Sequence, residues 1–479
     1  MKHILALILT LLLCMSAGCS KQPQNTNINT TYLSADKYEM EIDFDNSNHT
    51  ISGTASITVT NKTNTSIKEL YIRNYTANIT DSNITDFEVS GKKLKSYINE
   101  EDKSIITVVL NKKLKPKNTI TVSMNFETKI PKKKEKFGYT VFEEKKIYNL
   151  STCFPTLSFF DGEKWYNHPY IENFGESNLS HLSNYSVAVN TPDGFSVIAT
   201  GIETVEGNLT KIEGENLREF AMVISNSFKN ISETIYKTKI NYYYLNFENN
   251  TNFSKAILKA SVDSYKLFTD YFGDYVHNEL DVVHTFMESA MEYSGLLMLG
   301  YPDASDDAIK NLDKAVIEKL PAQQSRVAHE IAHQWFYSAV GNDPFSEPWL
   351  DEGFAEFCED VLWQNTLRNT EEKEKFNHFM KDYIKQVAKD GYIINKGYSS
   401  YTEDSNYSMY VYEGGKMFLY ELREALGKED FQHALKEYYS TYKNKIAQTK
   451  DFLEIIEKFD NNNKTDLIIQ KYIDKTQTN

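Results

Sequence analysis

Two histidines and a glutamate stand in the sequence where they could hold and use a metal ion. They form the segment His329-Glu330-Ile331-Ala332-His333, inside a run with strong helical periodicity. Positions four apart on an α-helix project from nearly the same face, so both imidazoles can reach one ion. The glutamate beside them is then placed to act as a base toward a bound water. The pattern therefore predicts a catalytic metal site on a helix.

A catalytic zinc ion needs a third protein ligand and an open position for water. Glu352 is the candidate, because 18 residues separate it from His333 and it would begin a helix that can fold back on the first. Chance alone would give about 0.001 occurrences of the whole pattern in a chain of this composition. Two alternatives stay open: surface histidines beside a solvated carboxylate, and a structural zinc site. A structural site usually closes with four Cys or His ligands, which this pattern does not supply.

Two histidines and a glutamate in this order resemble the ligands of the gluzincin metallopeptidases, and the spacing is similar to that of the aminopeptidase N family. Further stretches carry the same resemblance. They are Trp335, Glu352-Gly353-Phe354-Ala355-Glu356, Ser289-Ala290-Met291-Glu292-Tyr293 for the family's Gly-x-Met-Glu-Asn motif, Val411-Tyr412-Glu413-Gly414-Gly415 for its Tyr-Glu-Lys-Gly segment, and Asn184–Val189, Thr191-Pro192 and Ala199–Gly201 for the later part of its β domain. The resemblance implies one zinc ion per chain, bound by the three residues above, and peptide substrates.

Catalytic roles follow for two residues. Glu330 would take a proton from a metal-activated water and deliver it to the leaving amine. By resemblance to the family's catalytic tyrosine, Tyr412 would donate to the negative charge that develops on the substrate. Tyr407 and Tyr410 are nearby competitors for that role.

Glu292, with Ala290 and Met291, is the candidate for substrate binding. An aminopeptidase must recognise a free α-ammonium, and a fixed carboxylate does so by charge-assisted hydrogen bonding. The segment departs from the family motif, because Ser289 replaces its Gly and Tyr293 replaces its Asn. We expect the first change to restrict the backbone and the second to alter the pocket.

The elements that must position these residues change in character near residue 250. Before it, apolar residues alternate with polar ones at period two, which predicts an antiparallel sheet. After it, helices are predicted at Phe253–Phe272, Leu320–Val340, Leu350–Asn365, Glu371–Ala388, Met409–Leu426, Glu429–Tyr442, Asp451–Phe459 and Asp466–Asp474, with C-caps at Gly341 and Gly427 and a strand at Leu280–Phe286.

We therefore predict an α+β multidomain protein. An N-terminal antiparallel β-sheet domain covers residues 32–250, and a mainly α-helical zinc peptidase domain covers 251–479. The resemblance implies a saddle-like shape for the first and a thermolysin-like fold for the second.

The first residues predict export. Met1-Lys2-His3 is followed by a 12-residue, mostly apolar run, which is too short to span a bilayer. Ser16-Ala17-Gly18-Cys19 resembles a bacterial lipobox. We expect a signal peptide over 1–18, a lipid on Cys19, a polar tether over 19–31, and anchoring to the outer face of the cell membrane. An ordinary signal peptide that is cut nearby is the alternative.

Composition limits the class of protein. The 479 residues are 41% hydrophobic and 25% charged, which is typical of a globular chain. The formal net charge of −15 argues against nucleic acid as a partner, since phosphate binding needs a basic field. Without the signal peptide and the lipidated cysteine, Cys153 and Cys358 remain. We expect two buried, unpaired thiols, although a disulfide between them is left open.

These observations predict a zinc-dependent aminopeptidase that acts on peptides outside the cell. The alternatives are a gluzincin endopeptidase that ignores the free amine, and a non-enzymatic surface binding protein on the same fold. Members of the family often continue into a large helical domain that covers the active-site cavity. Only 67 residues follow Tyr412, so we expect that domain to be absent and the site to be more open.

Overall fold

The computed structural model describes residues 29–171, 176–245, 251–300, 319–387 and 393–477. The predicted signal peptide, Cys19 and nearly all of the predicted tether lie outside the described residues. Among the described helices, none is both long enough and apolar enough to cross a membrane.

The first half of the chain is built from strands. They are β1 (Leu33–Asp45), β2 (Thr50–Asn61), β3 (Ile67–Arg73), β4 (Ser82–Val89), β5 (Lys92–Lys93), β6 (Lys95–Ile98), β7 (Ile105–Leu114), β8 (Thr119–Lys129), β9 (Phe137–Phe142), β10 (Lys145–Leu150), β11 (Thr156–Leu157), β12 (Phe159–Phe160), β13 (Trp165–Tyr166), β14 (Ser183–Asn190), β15 (Ser196–Ala199), β16 (Ile202–Glu206), β17 (Leu209–Leu217) and β18 (Met222–Ser225).

The largest sheet of this half has eight strands in the order β16-β17-β14-β1-β2-β8-β4-β5. Its core face carries the alternating apolar residues, for example Tyr38, Met40, Ile42 and Phe44 of β1, all buried. Two four-stranded sheets, β15-β18-β10-β9 and β11-β3-β7-β6, complete the core. The large sheet is antiparallel as predicted except at β1 and β14, which pair in parallel.

A further, five-stranded sheet supports the metal site. Its strands are β19 (Phe228–Ile235), β20 (Thr238–Leu245), β21 (Glu279–Thr285), β22 (Ala290–Tyr293) and β23 (Leu296–Gly300), in the order β19-β20-β21-β23-β22. The helix α1 (Thr251–Phe272) lies between β20 and β21 in the chain, and these two strands pair in parallel. A parallel pair needs such a crossover. Because β19 and β20 precede residue 250 and β21, β22 and β23 follow it, the sheet continues across the predicted domain boundary.

The second half is rich in helices, which confirms the predicted α+β class. They are α2 (Leu320–Ala332), α3 (Glu352–Glu356), α4 (Asn365–Leu367), α5 (Thr370–Val387), α6 (Asp404–Tyr407), α7 (Gly415–Leu426), α8 (Lys428–Tyr442), α9 (Thr449–Phe459) and α10 (Asp466–Tyr472), with short strands β24 (Val340–Gly341) and β25 (Lys445–Ile446). Segments of π-helix, Phe357–Gln364 and Ser408–Gly414, lead into α4 and α7, and 3₁₀ turns occur at Tyr75–Asn78, Pro348–Leu350, Tyr398–Ser400 and Lys475–Gln477.

The helix that carries His329 and is capped by His333 is shorter than predicted. It ends at Ala332 rather than Val340, and Gly341 lies in β24 instead of capping a helix, so both predictions are wrong. The reason is Arg218 of the first half, whose buried guanidinium donates to the carbonyl oxygen of Tyr337 at 2.6 Å. A Cβ atom on Gly341 would lie 2.3 Å from the guanidinium carbon, so the glycine makes room for the arginine.

The two cysteines lie in different hydrophobic cores. Cys153 belongs to the core of the β-sheets in the first half, and Cys358 belongs to the core of the helical half. Both are buried and unpaired, which confirms the prediction.

Candidate metal centre

The three predicted metal ligands converge where the end of α2 meets the start of α3. The Nε2 atoms of His329 and His333 lie 3.2 and 3.4 Å from one oxygen of Glu352, Oε2. Both histidines are buried, and the side chain of Glu352 is 12% exposed. The four-residue helical spacing aims both imidazoles at one point, and α3 brings the carboxylate to that point.

These separations fit a zinc ion. Two ligands of a tetrahedral zinc, each about 2.0–2.1 Å from the metal, lie about 3.3 Å apart. This value is close to the 3.2 and 3.4 Å that separate the two Nε2 atoms from Glu352 Oε2. Two imidazoles and one carboxylate supply three ligands, so a tetrahedral ion would keep one position for water or substrate. Such a donor set is typical of catalytic zinc sites rather than of closed structural ones.

Outer contacts orient both imidazoles. The Nδ1 atom of His333 donates to the carbonyl oxygen of Phe336 at 3.3 Å, which leaves its Nε2 lone pair for a metal. The Nδ1 atom of His329 lies 3.5 Å from Glu356 and 3.6 Å from Glu359. Carboxylates behind a ligating histidine increase its basicity and hold its orientation.

The three ligands control one another's ionisation. Burial opposes the charged form of the Glu352 carboxyl, but hydrogen bonds with His329 and His333 outweigh it and lower its pKa. Burial also opposes protonation of the two imidazoles, and their hydrogen bonds to Glu352 raise their pKa instead. Glu352 is therefore held as an anion, which is the form that binds a metal.

Glu330 and Glu292 face the same point from two different elements. A carboxylate oxygen of each lies within 4.8 Å of the other and of a ring nitrogen of His333. Burial raises the pKa of both carboxyls, and the negative charge of Glu176 raises that of Glu292 further. Glu330 thus has the increased proton affinity that a general base needs, and a bound ammonium group would offset the cost of ionising Glu292.

Glu292, Ala290 and Met291 all belong to β22, which is an edge strand of the five-stranded sheet. The structure shows the environment of Ser289 and Tyr293, the two residues that depart from the family motif. Ser289 keeps a negative φ, so the position needs no glycine. The ring of Tyr293 is buried, 3% exposed, and does not line the cavity at the metal site.

Tyr412 is the tyrosine that reaches the metal ligands. Its hydroxyl donates to Glu352 Oε1 at 2.5 Å, and its ring lies parallel to that of His329 with centroids 6.0 Å apart. Tyr407 packs edge-on against Tyr412, and Tyr410 packs against another tyrosine. Burial, and then the charge of Glu352, keep the pKa of Tyr412 well above its usual range, so its hydroxyl stays a hydrogen-bond donor.

Two glycines allow this contact. Gly353 follows Glu352, Gly415 comes three residues after Tyr412, and their backbones cross at close range. A Cβ atom on Gly415 would lie 2.6 Å from the Cα atom of Gly353. The missing side chains let the two helical segments approach, which brings the hydroxyl of Tyr412 to the carboxylate of Glu352.

Sequence reasoning missed several charged groups at this site. Lys136 reaches the metal-site cavity from the first half of the chain, with its Nζ atom 3.4 Å from Glu176 Oε1. Lys416 is buried, with its Nζ atom 3.3 Å from Glu356. No local pattern marks these pairs, because the partners are distant in sequence. Arg326 also lines the cavity, and its helical spacing to the histidine pair could have revealed it.

The helical half of the chain matches a known protein family. Residues 256–474 match the family described as peptidase family M1 domain. The helical half of this chain is therefore similar to the M1 peptidases. This match supports the predicted aminopeptidase N-type gluzincin, and zinc is the metal that the donor set of His329, His333 and Glu352 fits.

Individual relatives agree with the M1 assignment. The chain is 28% identical over 225 residues to aminopeptidase M1-D of Oryza sativa subsp. japonica, and this match covers 43% of the chain and 24% of that protein. It is 23% identical over 290 residues to the alanine/arginine aminopeptidase of Saccharomyces cerevisiae, across 59% of the chain and 32% of that protein. The matches thus span about a quarter to a third of the length of these relatives.

A solved structure shares the fold over nearly its whole length. The crystal structure of an M1 zinc metallopeptidase from Deinococcus radiodurans superposes with a TM-score of 0.65. The match covers 93% of this chain and 95% of that chain, at 14% sequence identity. The order of a β half and a helical half is therefore common to both proteins, while the roles of individual site residues stay predictions.

Proposed function

We propose that this M1 domain is a zinc aminopeptidase that removes N-terminal residues from peptides. The observation that carries the proposal is the position of Glu292, on the edge strand β22 and within 4.8 Å of Glu330 and His333. An edge strand offers backbone groups to an extended peptide. A buried carboxylate beside the metal ligands then binds the α-ammonium by charge-assisted hydrogen bonds, so the first peptide bond lies at the metal centre.

Each residue of the site has its own role in the proposed reaction. Zinc held by His329, His333 and Glu352 would lower the pKa of a bound water and polarise a carbonyl group. Glu330 accepts a proton from the attacking water and delivers it to the leaving amine. The hydroxyl of Tyr412 donates a hydrogen bond to the negative charge that develops on the carbonyl oxygen.

Pairs of peptides that differ only in N-terminal acetylation test this function. We expect kcat/KM to be about 10- to 100-fold higher for the free amine, because a hydrogen bond to a charged group contributes about 1.5–3 kcal/mol. Glu292→Gln should remove most of this preference, and a chelator should abolish cleavage until zinc is restored. Glu371→Gln, which alters an exposed carboxylate outside the cavity, should keep the preference.

Other outcomes would favour the alternatives. Internal cleavage of acetylated peptides at an equal rate would indicate an endopeptidase. A zinc-loaded chain that cleaves neither member of a pair would indicate a binding protein on the peptidase fold.

We also propose that the protein is exported and anchored to the outer face of the bacterial membrane through a lipid on Cys19. The support is the sequence of the first 19 residues, with a basic start, a short apolar run and a lipobox-like end. Labelled fatty acid should be incorporated in cells that express the wild-type chain or Cys14→Ser, and not in cells that express Cys19→Ser. Equal labelling of the Cys19→Ser chain would contradict the proposal.

A further inference from the structure

Arg326 is a positive charge in the wall of the metal-site cavity. It lies on α2, three residues before His329 and four before Glu330, so it occupies the same helix face one turn earlier. Its half-buried side chain lines the cavity together with Glu292 and Tyr412. Among the described residues, its guanidinium makes no hydrogen bond or ion pair, although its charge acts on Glu330.

The contacts of α2 show in which direction it runs along the sheet. Just after its end, the amide of Gln334 donates to the carbonyl oxygen of Tyr293 at 3.1 Å. In its first turn, Gln323 Oε1 lies 3.0 Å from the Nε2 atom of His284. His284 shares a cross-strand row with Ala290. Moving back along α2 therefore corresponds to moving back along β22 toward Ala290.

A peptide bound at Glu292 would extend toward Arg326. The cavity is lined by Ala290, Met291 and Glu292 of β22 but not by Tyr293, so a chain whose amine is held at Glu292 runs toward Ala290. From Glu330 to Arg326 the helix spans about 6 Å, or about two residues of an extended peptide. Arg326 therefore lies beside the part of the substrate beyond the scissile bond.

We propose that Arg326 binds a carboxylate on the leaving side of the scissile bond and selects substrates that carry one there. This inference rests on the proposed function. A guanidinium pairs with a carboxylate through two parallel hydrogen bonds. The other cation among the described residues that line the cavity, Lys136, is already paired with Glu176. Six glutamates line the same cavity, so an acidic substrate group needs this arginine to offset their repulsion.

Two sources could supply the carboxylate, and two pairs of peptides distinguish them. Ala-Asp-Ala-amide against Ala-Asn-Ala-amide tests an acidic side chain, and Ala-Ala against Ala-Ala-amide tests a free C-terminus. We expect wild-type kcat/KM to favour the carboxylate in at least one pair by about tenfold or more. Arg326→Gln should remove that preference, and Arg326→Lys should keep part of it, because a lysine retains the charge without the fork geometry.

Controls distinguish a failure of this inference from misfolding of a variant and from a failure of the proposed function. Arg368→Gln changes an arginine outside the cavity and should keep the preference, and zinc content shows whether each variant is folded. The inference is overturned if the wild-type chain shows no preference in either pair, or if the preference survives in folded Arg326→Gln. An aminoacyl reporter with a neutral leaving group measures the proposed function itself. If the wild-type chain does not cleave this reporter, the proposed function fails, and this inference fails with it.

Discussion

Replacing Glu330 with glutamine is expected to lower kcat by about 10³-fold, within the range that a general base contributes. Glutamine has nearly the shape of glutamate but cannot accept the proton of the attacking water. The three metal ligands keep their own contacts, because Nε2 of both histidines faces Glu352 rather than Glu330. The variant should therefore still bind one zinc ion per chain, which elemental analysis measures beside steady-state kinetics.

The zinc measurement decides between two arrangements of ligands. Glu292, Glu330 and His333 also bring donor atoms within 4.8 Å of one another, so Glu330 could serve as a ligand instead of a base. Loss of zinc together with activity in Glu330→Gln would indicate that arrangement and contradict the proposed role. Glu371→Gln is the matched control, because the side chain of Glu371 is 77% exposed and should affect neither quantity.

Replacing Tyr412 with phenylalanine is expected to lower kcat by about 10²-fold and to change KM by less than about twofold. The hydroxyl is a donor at the edge of the metal centre, and its hydrogen bond matters most when negative charge develops on the substrate oxygen. A group that acts in the transition state changes kcat more than ground-state binding. The measurement is steady-state kinetics on a free-amine peptide, at matched zinc content.

Two neighbouring tyrosines test the assignment. Tyr410→Phe should keep activity near the wild-type level, because Tyr410 packs against another tyrosine rather than against a metal ligand. If Tyr410→Phe or Tyr407→Phe shows the large loss and Tyr412→Phe does not, the role belongs to a different hydroxyl.

Elements that depend on local periodicity could be predicted closely. The helix predicted at Phe253–Phe272 is found at Thr251–Phe272, and the one predicted at Glu429–Tyr442 is found at Lys428–Tyr442. The end of α2 could not be predicted in this way. Its apolar periodicity continues past Ala332, but a buried arginine more than 100 positions earlier holds the following backbone in turns.

The positions of the predicted substrate-binding and catalytic residues, Glu292 and Tyr412, also depend on contacts between residues that are distant in the sequence. The resemblance suggested Glu292 and Tyr412, yet no spacing in the sequence places either near a histidine. Sheet order puts β22 at an edge, and the crossing of Gly353 with Gly415 brings the tyrosine hydroxyl to Glu352. The pairing of Lys136 with Glu176 at the same cavity had no signal in the sequence.

The sequence by itself determined the metal chemistry of this protein. Donor types and a four-residue spacing suffice for that, because one helix aims His329 and His333 at the same point whatever surrounds it. Only the tertiary structure decided which other side chains surround the metal site. Glu292, Tyr412 and Arg326 lie on three separate elements, and their positions are set by sheet order and helix packing, which join residues far apart in the chain.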